Sequence, residues 1–206
     1  AAQSGLGRRD EGMRERLAEV CRFLLDRGVD PRHEVEIGLP ISPAFLCASC
    51  GGNAELMRLL LERGGLTAGR FHLALEHALE PPQRSGEPFG HIADLILRHG
   101  FDVNAVRTPG GRTLLHGSAN RGTIKAVRWL LRNGSDPNAL DGAGRTPLHV
   151  CAERNTSPSV AKLLVDADSS PNARDSSGRT PLDYARENDR VKVGAYLVSV
   201  GGQDTR

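Results

Sequence analysis

Apolar positions in the second half of the chain fall into short clusters that alternate with polar turns. Leu148 and Ala152 mark one short helix, and Val160, Leu163, Leu164 and Val165 mark a second at helical spacing. The same pairing recurs earlier, where 56–61 and 20–25 carry Leu-Leu patterns of the same kind. Between the clusters lie Gly, Asn, Asp and Pro, the residues of helix caps and tight turns. Thr146 is placed to cap a helix, and Pro147 to open it, because the first helical N–H has no partner to lose. A helix pair this short leaves an apolar face that it cannot bury alone.

Those clusters are periodic. The string GRTLLHGSA at 111–119 returns as GRTPLHVCA at 144–152, 33 residues later, and GRTPLDYA at 178–185 follows after another 34. A fixed period of this length means units that gain stability by stacking on their neighbours. The Thr-Pro-Leu-His-x-x-Ala pattern resembles the ankyrin repeat family. The turns agree with it: RNGSDPN at 132–138 and RHGFDVN at 98–104 match the family's helix end, as do 62–64 and 26–30. First helices are recognisable at 42–48 (SPAFLCA) and 71–75 (FHLAL).

The resemblance implies an all-α solenoid of helix-turn-helix units with short hairpin-like fingers. It reads as a single domain over 1–206 with about six units. A partial first unit spans 1–33, and units follow at 40–66, 67–104, 111–138 and 144–172, with a C-terminal cap at 178–200. The third unit carries a polar insertion, EPPQRSGEPFG at 80–90. At Asp168 the usual capping glycine is missing, and Asp tolerates the left-handed conformation better than most residues. Asp189, Arg190 and Lys192 suggest a polar, solvent-facing last helix. Trp129 aligns with Phe23 and Leu163 at a core position. Ala1 to Gly5 read as a first helix cut through its middle, so the chain is expected to be a piece of a longer protein.

Composition narrows the setting. The chain has no run of the roughly 18 apolar residues that a membrane span needs. Its four cysteines, Cys21, Cys47, Cys50 and Cys151, fall where the family places small or apolar residues, which points to reduced thiols and a cytoplasmic or nuclear location. Cys47 and Cys50 have C-x-x-C spacing without a second pair, and no metal or redox site is assigned to them. His72, His116 and His149 are the histidines of the repeat motif, with a structural role. No catalytic residue and no cofactor is expected.

Charge carries the functional reading. Residues 1–103 have a net charge of −3 and residues 104–206 of +5. Arg112, Arg145 and Arg179 hold the same position in three consecutive units, where the family's finger meets its concave surface. Arg121 and Arg154 extend that line, and Asn120, Asn155 and Asn188 add neutral hydrogen-bonding groups. Such a ladder suits an acidic or phosphorylated partner peptide. Asp141, Asp175, Glu153 and Glu187 dilute the field and argue against nucleic acid. Phe89 offers a lateral contact, and Thr108 and Asn104 are candidate modification sites, by phosphorylation and by the hydroxylation known in the family.

The resemblance thus implies a monomeric protein-interaction module, an adaptor or scaffold that holds a partner in its concave groove. Two other readings stay open: a recruitment domain for an enzyme or effector whose catalytic part lies outside this segment, and an intramolecular or self-association scaffold.

Overall fold

The computed structural model describes residues 16, 19, 20, 22, 23, 26–28, 48, 53–63, 74–76, 78, 79, 90–104 and 110–205. Residues 1–12, the insertion at 80–89, Cys21, Cys47, Cys50, His72 and His77 lie outside them. The chain divides into two compact units, Ala1–Phe101 and Asp102–Arg206.

In the first unit, helix α1 (Ala54–Glu62) starts at Asn53, whose side-chain oxygen accepts the Leu56 N–H at 3.0 Å. That bond satisfies one of the amides a helix start leaves unpaired. Leu56, Met57, Leu60 and Leu61 form its buried face. It packs on α2 (His91–Arg98), which opens after Gly90 at φ 87° and buries Ile92, Ala93, Leu95 and Ile96. Arg22 pairs with Glu55 at 2.5 Å, and Arg63 with Asp26 at 2.6 Å. Phe23 departs from the expected core position: it is exposed, with the Arg27 guanidinium 4.4 Å from its ring centroid. Trp129, its counterpart by alignment, is buried.

The second unit is a stack of three helix pairs. The first helices are α3 (Leu114–Arg121), α5 (Pro147–Arg154) and α7 (Pro181–Glu187). The second helices are α4 (Ile124–Arg132), α6 (Ser159–Val165) and α8 (Val191–Ser199). Helix α5 lies between α3 and α7, and α6 between α4 and α8, which gives two layers around one core. Small residues line the contacts: Ala119, Ala126, Cys151, Ala152, Ala161 and Ala185 are buried, and their size permits close helix approach. Burial pushes the Cys151 thiol up to about 12, so it stays protonated.

In the second unit a histidine closes each of the two joints between the three described helix pairs. The Thr113 N–H donates to His116 Nδ1 at 3.2 Å, and His116 Nε2 lies 2.9 Å from the Arg145 carbonyl of the next repeat. An amide can only donate and a carbonyl can only accept, so the ring is neutral with its proton on Nε2. His149 repeats the arrangement with Thr146 N–H (3.1 Å) and the Arg179 carbonyl (3.1 Å). At the third repeat Asp183 replaces histidine. Its carboxylate accepts the Thr180 N–H at 2.8 Å, then the Thr205 N–H at 3.0 Å and the Thr205 hydroxyl at 2.9 Å, holding residues 201–205 against α7.

Asparagines make a second set of cross-repeat bonds at the helix-end turns. The Asn138 amide donates to the Asp168 carbonyl at 2.9 Å and accepts the Ser170 N–H at 3.0 Å. Asn104 does the same with Gly134 and Asp136 (2.7 and 2.8 Å), and Asn172 with Gly201 and Gln203 (3.0 and 2.7 Å). Asn104, the candidate for hydroxylation, is thus bonded at both ends of its amide. Gly134 (φ 82°) and Asp168 (φ 65°) occupy equivalent left-handed turns, the latter as expected.

The last helix differs in part from its expectation. The helix itself, VKVGAYLVS, leaves Val191 and Val198 exposed. Lys192 lies within it and is exposed, so the helix faces solvent as expected, while Asp189 and Arg190 fall in the preceding loop.

The histidine joints set a pH dependence. Burial lowers the pKa of His116 and His149 below the ordinary 6.5, outweighing the carbonyl bond that raises it. As pH falls through 6.5 the unfolded chain binds protons that the folded chain refuses, so stability is full above that value and declines below it. Urea unfolding of the parent is expected to weaken on acidification. An H116Q/H149Q variant, less stable at neutral pH, is expected to show a flatter slope over the same range.

Candidate functional site

The site is built on the fingers that precede the first helices. DGAGR at 141–145 and DSSGR at 175–179 fold as tight turns, in which Asp141 N–H bonds the Arg145 carbonyl (2.9 Å) and Asp175 N–H the Arg179 carbonyl (3.0 Å). One backbone bond links each finger to the next: Gly142 N–H to the Gly110 carbonyl at 2.9 Å, and Ser176 N–H to the Ala143 carbonyl at 3.1 Å. This places Arg112, Arg145 and Arg179 in successive registers of one face.

The three arginines are not alike. Arg145 donates from Nε (3.0 Å) and Nη2 (2.9 Å) to one oxygen of buried Asp141, and from Nη1 to Glu153 at 3.4 Å. The other Asp141 oxygen accepts the Ala143 and Arg145 N–H groups at 2.9 and 3.0 Å. The clasp leaves the Arg145 side chain 18% exposed. Burial raises the Asp141 carboxyl, but the Arg145 guanidinium and two amides outweigh it and hold the group below its ordinary value.

At Arg179 a tyrosine intervenes. The buried Tyr184 hydroxyl donates to Asp175 at 2.7 Å and also contacts Arg179 Nη2, whose guanidinium carbon lies 4.2 Å from the tyrosine ring centroid. Arg179 retains Asp175 at 3.4 Å and Glu187 at 3.3 Å, and its Nε is buried without a hydrogen-bond partner. Burial, then the bond to Asp175, pushes the Tyr184 hydroxyl up to about 12.

Among the described residues Arg112 has no such clasp of its own. The residue four positions before it is Thr108, not Asp, and its Nε reaches across to Asp141 at 3.5 Å with the side chain 36% exposed. Arg154 is 61% exposed and touches Glu153 at 3.5 Å. Arg121 occupies the equivalent position at the exposed end of α3.

The asparagines do not share one register. Asn120 aligns with Glu153 and Glu187. The Asn155 amide donates to the Ala119 carbonyl at 2.7 Å, packed so closely on Gly122 that a Cβ there would lie 2.3 Å from its oxygen. Asn188 donates to the Tyr184 carbonyl at 2.9 Å. Asn155 and Asn188 therefore serve the fold with the amides that sequence reading offered to a partner. Phe89 and Thr108 lie outside the described residues.

Sequence reading missed Asp141, Asp175 and Tyr184 as organising residues. The signal was present as Asp four residues before Arg in two successive fingers. Among the described residues no cluster of His, Cys, Asp and Glu is arranged to hold a metal ion, and no helix is long and apolar enough to cross a membrane.

Asp141→Asn removes a buried charge that four hydrogen bonds serve. The expected loss is about 2–3 kcal/mol at neutral pH, measured by urea unfolding. Because the folded pKa is depressed, the gap between parent and variant should close as pH falls below the ordinary 3.8. An undiminished gap under acid would show that the charge is not the cause.

No curated protein sequence matches the chain. The family described as ankyrin repeats (3 copies) matches residues 75–175 and 115–206. With the stacked helix pairs, histidine joints and paired fingers described above, that match places the chain in the ankyrin repeat family.

Proposed function

We propose that the chain is a protein-interaction module and that the finger and first-helix face of 102–206 binds an acidic segment of a partner protein. Members of the family generally act as protein-interaction modules, and the chemistry of this face supplies the finer reading. The observation that carries it is the unequal state of the arginines. Arg145 is locked to Asp141, whereas Arg112 and Arg154 keep much of their surface in solvent. Guanidinium groups pair with carboxylates in a planar, two-pronged geometry, and those two groups are placed to offer it.

Arg145 then acts on the partner indirectly, by holding its finger in position, while Arg179, 39% exposed, keeps part of its guanidinium in solvent beside Asp175 and Glu187. Reversing all three column arginines would test stability and binding together. The informative variant is Arg112→Gln/Arg154→Gln, which leaves the Arg145–Asp141 and Arg179–Asp175 pairs in place without setting a new carboxylate beside Asp141. It is expected to retain the parent's unfolding midpoint and to lose partners captured from cell lysate by about tenfold or more, the effect of losing about 1.4 kcal/mol of contact. Equal capture by parent and variant would remove this face from the binding surface.

A further inference from the structure

The fingers at 141–145 and 175–179 carry the same Asp-x-x-x-Arg motif, yet their arginines end differently. Their backbones are held alike. One Asp141 oxygen accepts the Ala143 and Arg145 N–H groups at 2.9 and 3.0 Å, and one Asp175 oxygen accepts those of Ser177 and Arg179 at 2.8 and 2.9 Å. The difference is confined to the second oxygen. At Asp141 it receives both Nε and Nη2 of Arg145, at 3.0 and 2.9 Å. At Asp175 it lies 3.4 Å from Arg179 Nη2, and Arg179 Nε is buried without a partner. An orphaned buried N–H is costly, so another group must be holding the guanidinium off its carboxylate.

That group is the Tyr184 hydroxyl. It donates to the same Asp175 oxygen at 2.7 Å and accepts from Arg179 Nη2, so it stands between the two charges. Its ring is buried and meets the His149 imidazole of the preceding joint edge-on, with centroids 5.7 Å apart. The arginine therefore lies over the ring face, where the cation is attracted to it. The second repeat is the control within the same chain. Val150 occupies the register of Tyr184 and has no hydroxyl to offer, and there Arg145 closes on Asp141. The Arg179 side chain is 39% exposed against 18% for Arg145.

We infer that Tyr184 is a positioning residue of the binding face: by taking the Asp175 oxygen it turns the Arg179 guanidinium outward as a contact for a partner carboxylate. This rests on the proposal that the face binds an acidic segment, and names a residue outside the arginine register that decides which finger presents its cation. Glu187 does not withhold Arg179. Their contact is 3.3 Å long between side chains that are each more than a third exposed, an ion pair that solvent screens. Arg174, exposed on the same finger and donating to the Gly178 carbonyl at 2.9 Å, supplies a second guanidinium there.

The test treats the full chain with phenylglyoxal, a dicarbonyl that modifies accessible arginines, and reads the rate at each site by peptide mass spectrometry. Arg179 is expected to react about tenfold faster than Arg145, the scale of one hydrogen bond to a charged group. Tyr184→Phe keeps the ring and removes the hydroxyl. Arg179 should then close on Asp175 and its rate fall toward that of Arg145, which itself stays unchanged. Equal rates at the two sites in the parent, or an Arg179 rate indifferent to Tyr184→Phe, would overturn the inference. So would a rise at both sites, which would mark the tyrosine as a packing residue only. Binding is read separately with a fluorescent hexaglutamate peptide. Arg179→Gln and Tyr184→Phe should each weaken it by about two- to fivefold, the range of an exposed ion pair, and together by no more than either alone. Binding indifferent to both would overturn Arg179 as a partner contact. A parent that leaves hexaglutamate unbound, with the labelling difference intact, would overturn the acidic-segment reading and leave the control of Arg179 by Tyr184 standing.

Discussion

The residue on which the second unit turns is Arg145, because its main chain and side chain do different work at one point. Its carbonyl receives His116 from the preceding repeat and the Asp141 amide from its own finger. Its guanidinium closes on the Asp141 carboxylate beneath. Repeat stacking, finger geometry and charge presentation thus meet in one residue. A ligand competing for that guanidinium would have to leave Asp141 buried without its charge partner, a cost that a surface contact does not recover. The copy at Arg179 shows how far the arrangement bends: Tyr184 takes part of the carboxylate, and the arginine turns over the ring.

This coupling explains why an exposed arginine column, read as a sequence, differs from the same column as a surface. Periodicity reports which residues share a register but not what each touches. Arg112 and Arg145 are identical by period, and the difference lies four residues earlier, in Thr108 against Asp141. A similar limit applies to the asparagines. Asn104, Asn138 and Asn172 are true repeats of one cross-turn bond, whereas Asn155 acts as a helix-end tie because Gly122 leaves room for it.

Local chemistry was otherwise well expressed in the sequence. Thr146 and Pro147 start α5 as their types require, Asp168 takes the left-handed turn, and His116 and His149 are structural. What the sequence obscured were features set by neighbours. Phe23 is apolar yet exposed beneath a guanidinium, and α8 is less polar than expected because Asp189 and Arg190 fall outside it. Residue type set the Thr113, Thr146 and Thr180 caps and the left-handed turns, and packing decided which apolar faces are covered.

The central claim is that Arg145 is held internally while Arg112 is available to a partner. It is tested most directly by proton exchange at the arginine Nε–H groups, followed by nuclear magnetic resonance on the nitrogen-labelled chain. The Arg145 Nε–H, bonded to Asp141 at 3.0 Å, should exchange at least about tenfold more slowly than that of Arg112. Equally rapid exchange at both would contradict the account, because the clasp would then not be withholding Arg145 from solution.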